Sequence, residues 1–521
     1  MTGKFSRRAG AEPSAPRGVG AEPSAPRGAD AQRMPDDAVR AVGLASLLPG
    51  ARFVGCDDIV VRRLSADPEA CRRGEVFVAV AGDDADGHDR AALAIQRGAS
   101  GIVAERMIPT FGTPLCLVPD ARWALARIAQ ALRGDPAGQL RVIAITGTAG
   151  KTTTAWLAAS VLAEGRLRVG VLSDLGCLDG MNASPADADY TSPPGLAGWL
   201  DRCVSSGCSH AVVEVTSSML AAEALAGVPC DTVVVTNLGR AHLDRHGTAR
   251  AYRAITGRAV DALDDHGALV IDLDDPAAAR LAARRGGGRV LPVGLRRQGT
   301  LGAVPVERGL DGQTFLLRHG GDSAVVSVET PVASFVRDSL CAAAVGLRAG
   351  LPLAVVARGL EAAGAIPGRL DRICRGQDAH VFADCPSSGR ALATTLAGLR
   401  RLSRGRLALL IEEPAIPRFG DPRRFVERAA RWCDECVTVP ADVLDAEAGT
   451  RPLAAYARLD RLLAGLGAGD CVLVVGRPAP GGGDPDDPDP GTPQVPLALL
   501  VDAWMQLAHP PAAPFQGRRA A

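Results

Sequence analysis

Apolar residues in this chain gather in short unbroken runs rather than in strict alternation with polar ones. "RVIAITG", "RVGVLS", "HAVVEVTS", "DTVVVTNL" and "GALVIDLDD" follow one another between residues 141 and 275. Runs of this length, rich in Val and Ile, predict strands buried on both faces, and stretches with helical spacing, such as "AWLAASVL", separate several of them. The same rhythm precedes them, with "GEVFVAVAG" and "SGIVAE" as strands and "DRAALAIQRGA" and "ARWALARIAQAL" as helices. It returns afterwards in "HVFADCP", "RLALLIEE", "DECVTVP" and "DCVLVVGRP". Strand–helix alternation of this kind predicts an α/β fold with mostly parallel sheets.

The chain has 521 residues, too many for one core. The restarts of the pattern predict a Pro/Ala-rich tail over 1–38 and three domains, at 39–138, 139–364 and 365–521, the last with a disordered end. The tail repeats "GAEPSAPRG", which cannot bury a core, and "GGGDPDDPDPGTP" reads as a solvated loop. Formal net charge is zero and the pI about 7.1, so bulk charge does not suggest binding to nucleic acid or membrane. No apolar run approaches a membrane span and no leader opens the chain. Thirteen cysteines without framework spacing read as reduced thiols of a cytoplasmic protein. The lone pair Cys433 and Cys436 lacks the further ligands that a zinc site needs.

Of 58 basic residues only two are lysine, Lys4 in the tail and Lys151 in "TGTAGKTT". A strand before this turn and a helix after it would let the backbone N–H groups of Gly147, Thr148, Ala149, Gly150, Lys151 and Thr152 ring an anion, with Thr153 in the first helical turn. Lys151 would then reach the β/γ-phosphates of ATP, and the Thr152 hydroxyl would meet Mg²⁺. Ile145 stands where the strict phosphate-loop spacing has its first glycine, which disfavours a kinase or GTPase-like switch. Glu214 closes a buried strand, and Asn237 ends another, with His242 and Asp244 in the following loop. Carboxylates and strand-end polar groups at these places predict a metal–nucleotide site at the C-terminal edge of the sheet.

The turn, then "EVTSS", then "TNLGRAHLDRHGT", in this order, resembles the Mur ligases, ATP-dependent amino-acid ligases of peptidoglycan synthesis, and most of all their third-residue class. The resemblance extends over about residues 55 to 480 and implies a three-domain architecture with a central phosphate-loop sheet domain and a Rossmann-like C-terminal domain. It implies that Thr152, Glu214 and His242 are metal ligands and that Thr191 and Ser192 belong to a substrate loop. It further implies that Asn237, Asp274 and Asp275 border the nucleotide, and that Arg369 and Asp384 approach ATP from the third domain. The chemistry implied is phosphorylation of a carboxylate on a UDP-muramoyl peptide or related acid, then attack by the amine of an amino acid. Lys151, Glu214 and His242 carry that chemistry in the expected site, in a monomer.

The resemblance also has gaps. Thr256 stands at the family's carbamoylated lysine, Ser218 at a histidine, Ala224 at a substrate arginine and Ala241 at an acid. "VTVPADVLDAEAG" replaces the stretch that clamps diaminopimelate. Two expectations follow: a Mur-type ligase that does not select diaminopimelate in the usual way, or an impaired homologue that binds ATP as a scaffold or regulator.

Overall fold

The computed structural model describes residues 40–82, 85–184, 188–284, 289–297, 299–419, 422–440 and 453–476, with Leu497, Val501 and Met505. The tail over 1–38, the acidic loop over 481–493 and most of "VTVPADVLDAEAG" lie outside these residues.

Parallel strands Arg141–Thr146, Val169–Ser173, His210–Glu214, Cys230–Val235, Leu263–Asp272 and Arg289–Gly294 form the middle of the largest sheet. In space they run second, third, first, fourth, fifth, sixth. Strand Arg141–Thr146 alternates its side chains between two cores, with Ile143 and Ile145 in one and Val142 and Ala144 in the other. That two-sided burial explains the unbroken apolar runs, each large side chain contributing about 1.5–3 kcal/mol. One face is covered by helices Lys151–Glu164, Ala333–Arg348 and Leu353–Ala362, the other by Pro193–Ser205.

Beyond the parallel strands the sheet continues into an antiparallel ribbon, Leu301–Gly309, Gly312–His319 and Asp322–Val328. The apolar-run reading of the sequence did not anticipate it. Its signal is the other period: Phe315 and Leu317 are buried while neighbouring positions are not, and Gly-containing turns close both hairpins.

A five-stranded sheet over residues 52–117 precedes this one and another over residues 369–475 follows it. In the latter, Arg369–Ile373 runs antiparallel to His380–Asp384, and the remaining strands are parallel. Arg122 joins the first sheet region to the second by donating to the Ala221 carbonyl at 3.1 Å. Arg369 and Ser387 join the third to the second at the Gly-rich turn, at Thr152 and Thr148.

Candidate active site

The strand order reverses around Arg141–Thr146, since its neighbours His210–Glu214 and Cys230–Val235 lie on opposite sides of it. Ligands of open α/β sheets bind at such a switch, beyond the strand C-termini. The register brings Glu214 opposite Ile145 and Val235 opposite Thr146, so the turn after Thr146 lies between Glu214 and the Thr236–Asn237 step.

The turn itself is shaped by two glycines. Gly147 has φ +143°, and a Cβ there would lie 2.1 Å from Thr236 Oγ1. Gly150 has φ +83°, and its Cβ would lie 2.2 Å from Asp338 Oδ1. Asn237 fastens the turn from the side: its Oδ1 accepts from Ala149 N at 3.1 Å and its Nδ2 donates to Ala149 O at 2.8 Å. Thr148 Oγ1 accepts from Gly239 N at 2.7 Å. The helix Lys151–Glu164 starts directly at the turn, which aims its N-terminal N–H groups at the space above.

A cavity of about 440 Å³ opens there, bounded by residues 148–153, Asp174, Asp272, Asp274, Asp275, Arg337, Asp338, Arg369 and Asp384. A larger one of about 570 Å³, between Trp123 and Asp264, lies near the opposite ends of the strands and contains no anion-binding turn.

Lys151 Nζ lies 3.7 Å from Glu214 Oε1, and both side chains are nearly excluded from water. Burial works against the ammonium, but the Glu214 and Asp174 carboxylates outweigh it and raise the lysine above its usual value. Burial, reinforced by Asp174, pushes Glu214 up to about 7 against the pull of Lys151 and Arg369. Glu214 Oε2 accepts from Asp174 N at 3.3 Å, whereas Oε1 is buried without a hydrogen-bond partner. A buried carboxylate oxygen whose ion-pair partner, Lys151, stays beyond hydrogen-bond distance is suited to a cation.

Among the described residues no three His, Cys, Asp or Glu side chains gather as a ready metal cage. Mg²⁺ held with a nucleotide does not need one, because phosphates and water supply most of its ligands. Glu214 Oε1 and the Thr152 hydroxyl fit that requirement. Thr152 Oγ1 accepts from Arg369 Nη2 at 3.0 Å, and Arg369 also donates to the Cys385 carbonyl at 2.8 Å.

The remaining expected residues have defined places. His242 takes a left-handed backbone, φ +47°, ahead of the helical turn Leu243–His246, with its ring 6.1 Å from that of Tyr252. Ser192 caps helix Pro193–Ser205 by accepting from Gly195 N at 3.1 Å, with Thr191 just before it. Asp274 accepts from the N–H groups of Leu295, Arg296 and Arg297. Asp275 caps the next helix at Ala277 and Ala278. Both shape the cavity wall by holding backbone. Asp384 accepts from Thr395 Oγ1 at 3.3 Å, and burial pushes it up to about 6.

Six charged residues at the cavity were missed by the sequence reading: Asp174, Asp272, Arg296, Arg337, Asp338 and Arg390. Their signals were slight. "VLSD" places an acid just past a strand, and "RD" interrupts the otherwise apolar helix Ala333–Arg348. Burial drives Asp338 well above the usual carboxylate range.

A Gly-rich turn that opens a helix at the switch point of a parallel sheet, with a third sheet reaching into its mouth, defines an α/β protein with the architecture of a nucleotide-dependent enzyme. Residues 145–346 match the Mur ligase middle domain. UDP-N-acetylmuramoyl-L-alanyl-D-glutamate--2,6-diaminopimelate ligase of Chlorobaculum tepidum is 30% identical over 475 residues, 85% of this chain and 92% of that one. The enzyme of the same name from Chlorobium phaeobacteroides is 32% identical over 357 residues, 66% and 69% of the two chains. A solved UDP-N-acetylmuramoyl-L-alanyl-D-glutamate--2,6-diaminopimelate ligase superposes with TM-score 0.64 at 20% identity, covering 84% of this chain and 94% of that one. The MurF ligase of Thermotoga maritima in complex with ADP gives 0.54 at 20% identity, covering 80% and 94%. The chain belongs to the Mur ligase family, the ATP-dependent amide ligases of peptidoglycan-precursor synthesis.

Proposed function

We propose that this chain binds ATP at the Lys151 turn and joins an amino acid to a carboxylate of a UDP-muramoyl peptide or a related acid. The observation that carries this is the pairing of the fold's sole lysine with Glu214 at the turn, at 3.7 Å. The carboxylate attacks the γ-phosphorus and ADP leaves. The amine then attacks the acyl carbon, losing a proton as phosphate departs. Lys151 and the turn's N–H groups hold the transferring phosphoryl group, and Arg369 brings a second fixed cation to Thr152. Thr152 and Glu214 would hold Mg²⁺, which supplies charge neutralisation at the phosphates. The domain limits 39–138, 139–364 and 365–521 are the working parts of this ligase, a monomer without a nucleic-acid or membrane partner. All thirteen cysteines are free thiols, in keeping with a cytoplasmic setting. No helix among the described residues is long and apolar enough to cross a membrane.

A second reading is an impaired homologue that binds ATP without turnover. It is favoured by Ala224, a buried apolar residue at the position of a substrate arginine. Calorimetry with ATP·Mg and a phosphate-release assay with an amino-acid panel separate the two. Lys151→Ala should weaken ATP binding by about 1.5–3 kcal/mol, the value of a charge-assisted phosphate contact. Equal affinity in both proteins refutes the site. ATP binding without acid- and amine-dependent phosphate release selects the second reading.

A further inference from the structure

The family layout holds a second cation by a carbamoylated lysine, and in this chain Thr256 occupies that position. Thr256 is 1% exposed on helix Ala249–Gly257, and its hydroxyl donates to the Tyr252 carbonyl at 2.8 Å, one turn back. The group is neutral, short and already committed within its own helix. Tyr252 is itself buried, with the His242 and His246 rings 6.1 and 5.6 Å from its own. Aromatic side chains therefore occupy the surroundings of this helix face. A carbamate forms only by adding CO₂ to an amine with loss of a proton, and Lys151, the fold's one lysine, is held against Glu214.

The charges at the turn point the same way. Lys151 and Arg369 oppose Glu214 and Asp174, with Arg369 Nη2 3.9 Å from Asp174 Oδ2. One cation can use Glu214 Oε1, which has no hydrogen-bond partner. A second, close to the first, would add two positive charges, and although single carboxylates such as Asp174 line the cavity, among the described residues no three His, Cys, Asp or Glu side chains gather to hold it.

We infer that this chain holds a single divalent cation with its nucleotide, and that Thr256 is the residue that removes the second. The inference rests on the nucleotide-binding reading above. The test counts Mn²⁺ on the full-length chain by electron paramagnetic resonance, with a non-hydrolysable ATP analogue at saturation established by calorimetry. Wild type should take up one Mn²⁺ per chain. Thr256→Lys in ¹³C-bicarbonate should take up two, with a carbamate carbon resonance, and should return to one when CO₂ is excluded. Two Mn²⁺ on wild type overturn the inference while leaving nucleotide binding intact. So does a carbamate signal in Thr256→Lys without a second Mn²⁺. If the variant does not fold, the wild-type count decides alone. A chain that takes up no nucleotide overturns the functional reading, and this inference with it.

Discussion

Asp384 shows how much a single carboxyl at the cavity depends on its surroundings. It ends strand His380–Asp384 in a buried position, and its pKa of about 6 lies above the ordinary 3.8 chiefly because burial penalises the charge. As pH rises from about 4, the unfolded chain loses this proton before the folded one does. The stability the group contributes is complete below pH 4 and is lost by about pH 6, a change of roughly 3 kcal/mol. Asp384→Asn keeps the neutral form at every pH. Its melting temperature relative to wild type should therefore climb between pH 4 and 7, and a difference that stays flat by scanning calorimetry would refute the assignment. Asp384 could be found in the sequence through its family context. Asp338 left only the slight signal of a charge within an apolar helix, and its approach to a glycine 188 positions away follows from no local pattern.

At the level of elements, the Gly-rich turn combines two demands that only glycine meets at position 150. The backbone is left-handed, and the face where a Cβ would project is filled by Asp338. Gly150→Ala should weaken nucleotide binding at least about tenfold, equivalent to 1.4 kcal/mol, and should lower the melting temperature. Adding Asp338→Ala should recover part of the melting temperature but not the backbone penalty. Unchanged affinity in the single variant would show that the turn is not the binding element. Parallel strands and their helices were legible because burial on both faces forces continuous apolar runs. The ribbon over 301–328 obeys a period of two, which a search for unbroken runs passes over. Asn237 was legible as a strand-end residue, but its two hydrogen bonds with the Ala149 backbone depend on a neighbouring strand's register.

Across the whole molecule, the third sheet touches the turn through Arg369 and Ser387, residues more than 200 positions from their partners. No sequence spacing announces such contacts; they require all three sheets to be placed first. If Arg369 couples nucleotide to closure, wild type should contract on binding the ATP analogue and Arg369→Ala should contract less, as read by small-angle X-ray scattering. Equal contraction in both would assign closure to other contacts.

The near absence of lysine has a practical side. Amine-directed acylating reagents find, apart from the chain's first residue and Lys4, a single primary amine, and that amine lies at the Gly-rich turn, 3.7 Å from Glu214, with only 13% of its side chain exposed. A protein of this size ordinarily presents many competing surface amines. Here one modified peptide, weighed by mass spectrometry with and without nucleotide, would report occupancy of the turn free of background.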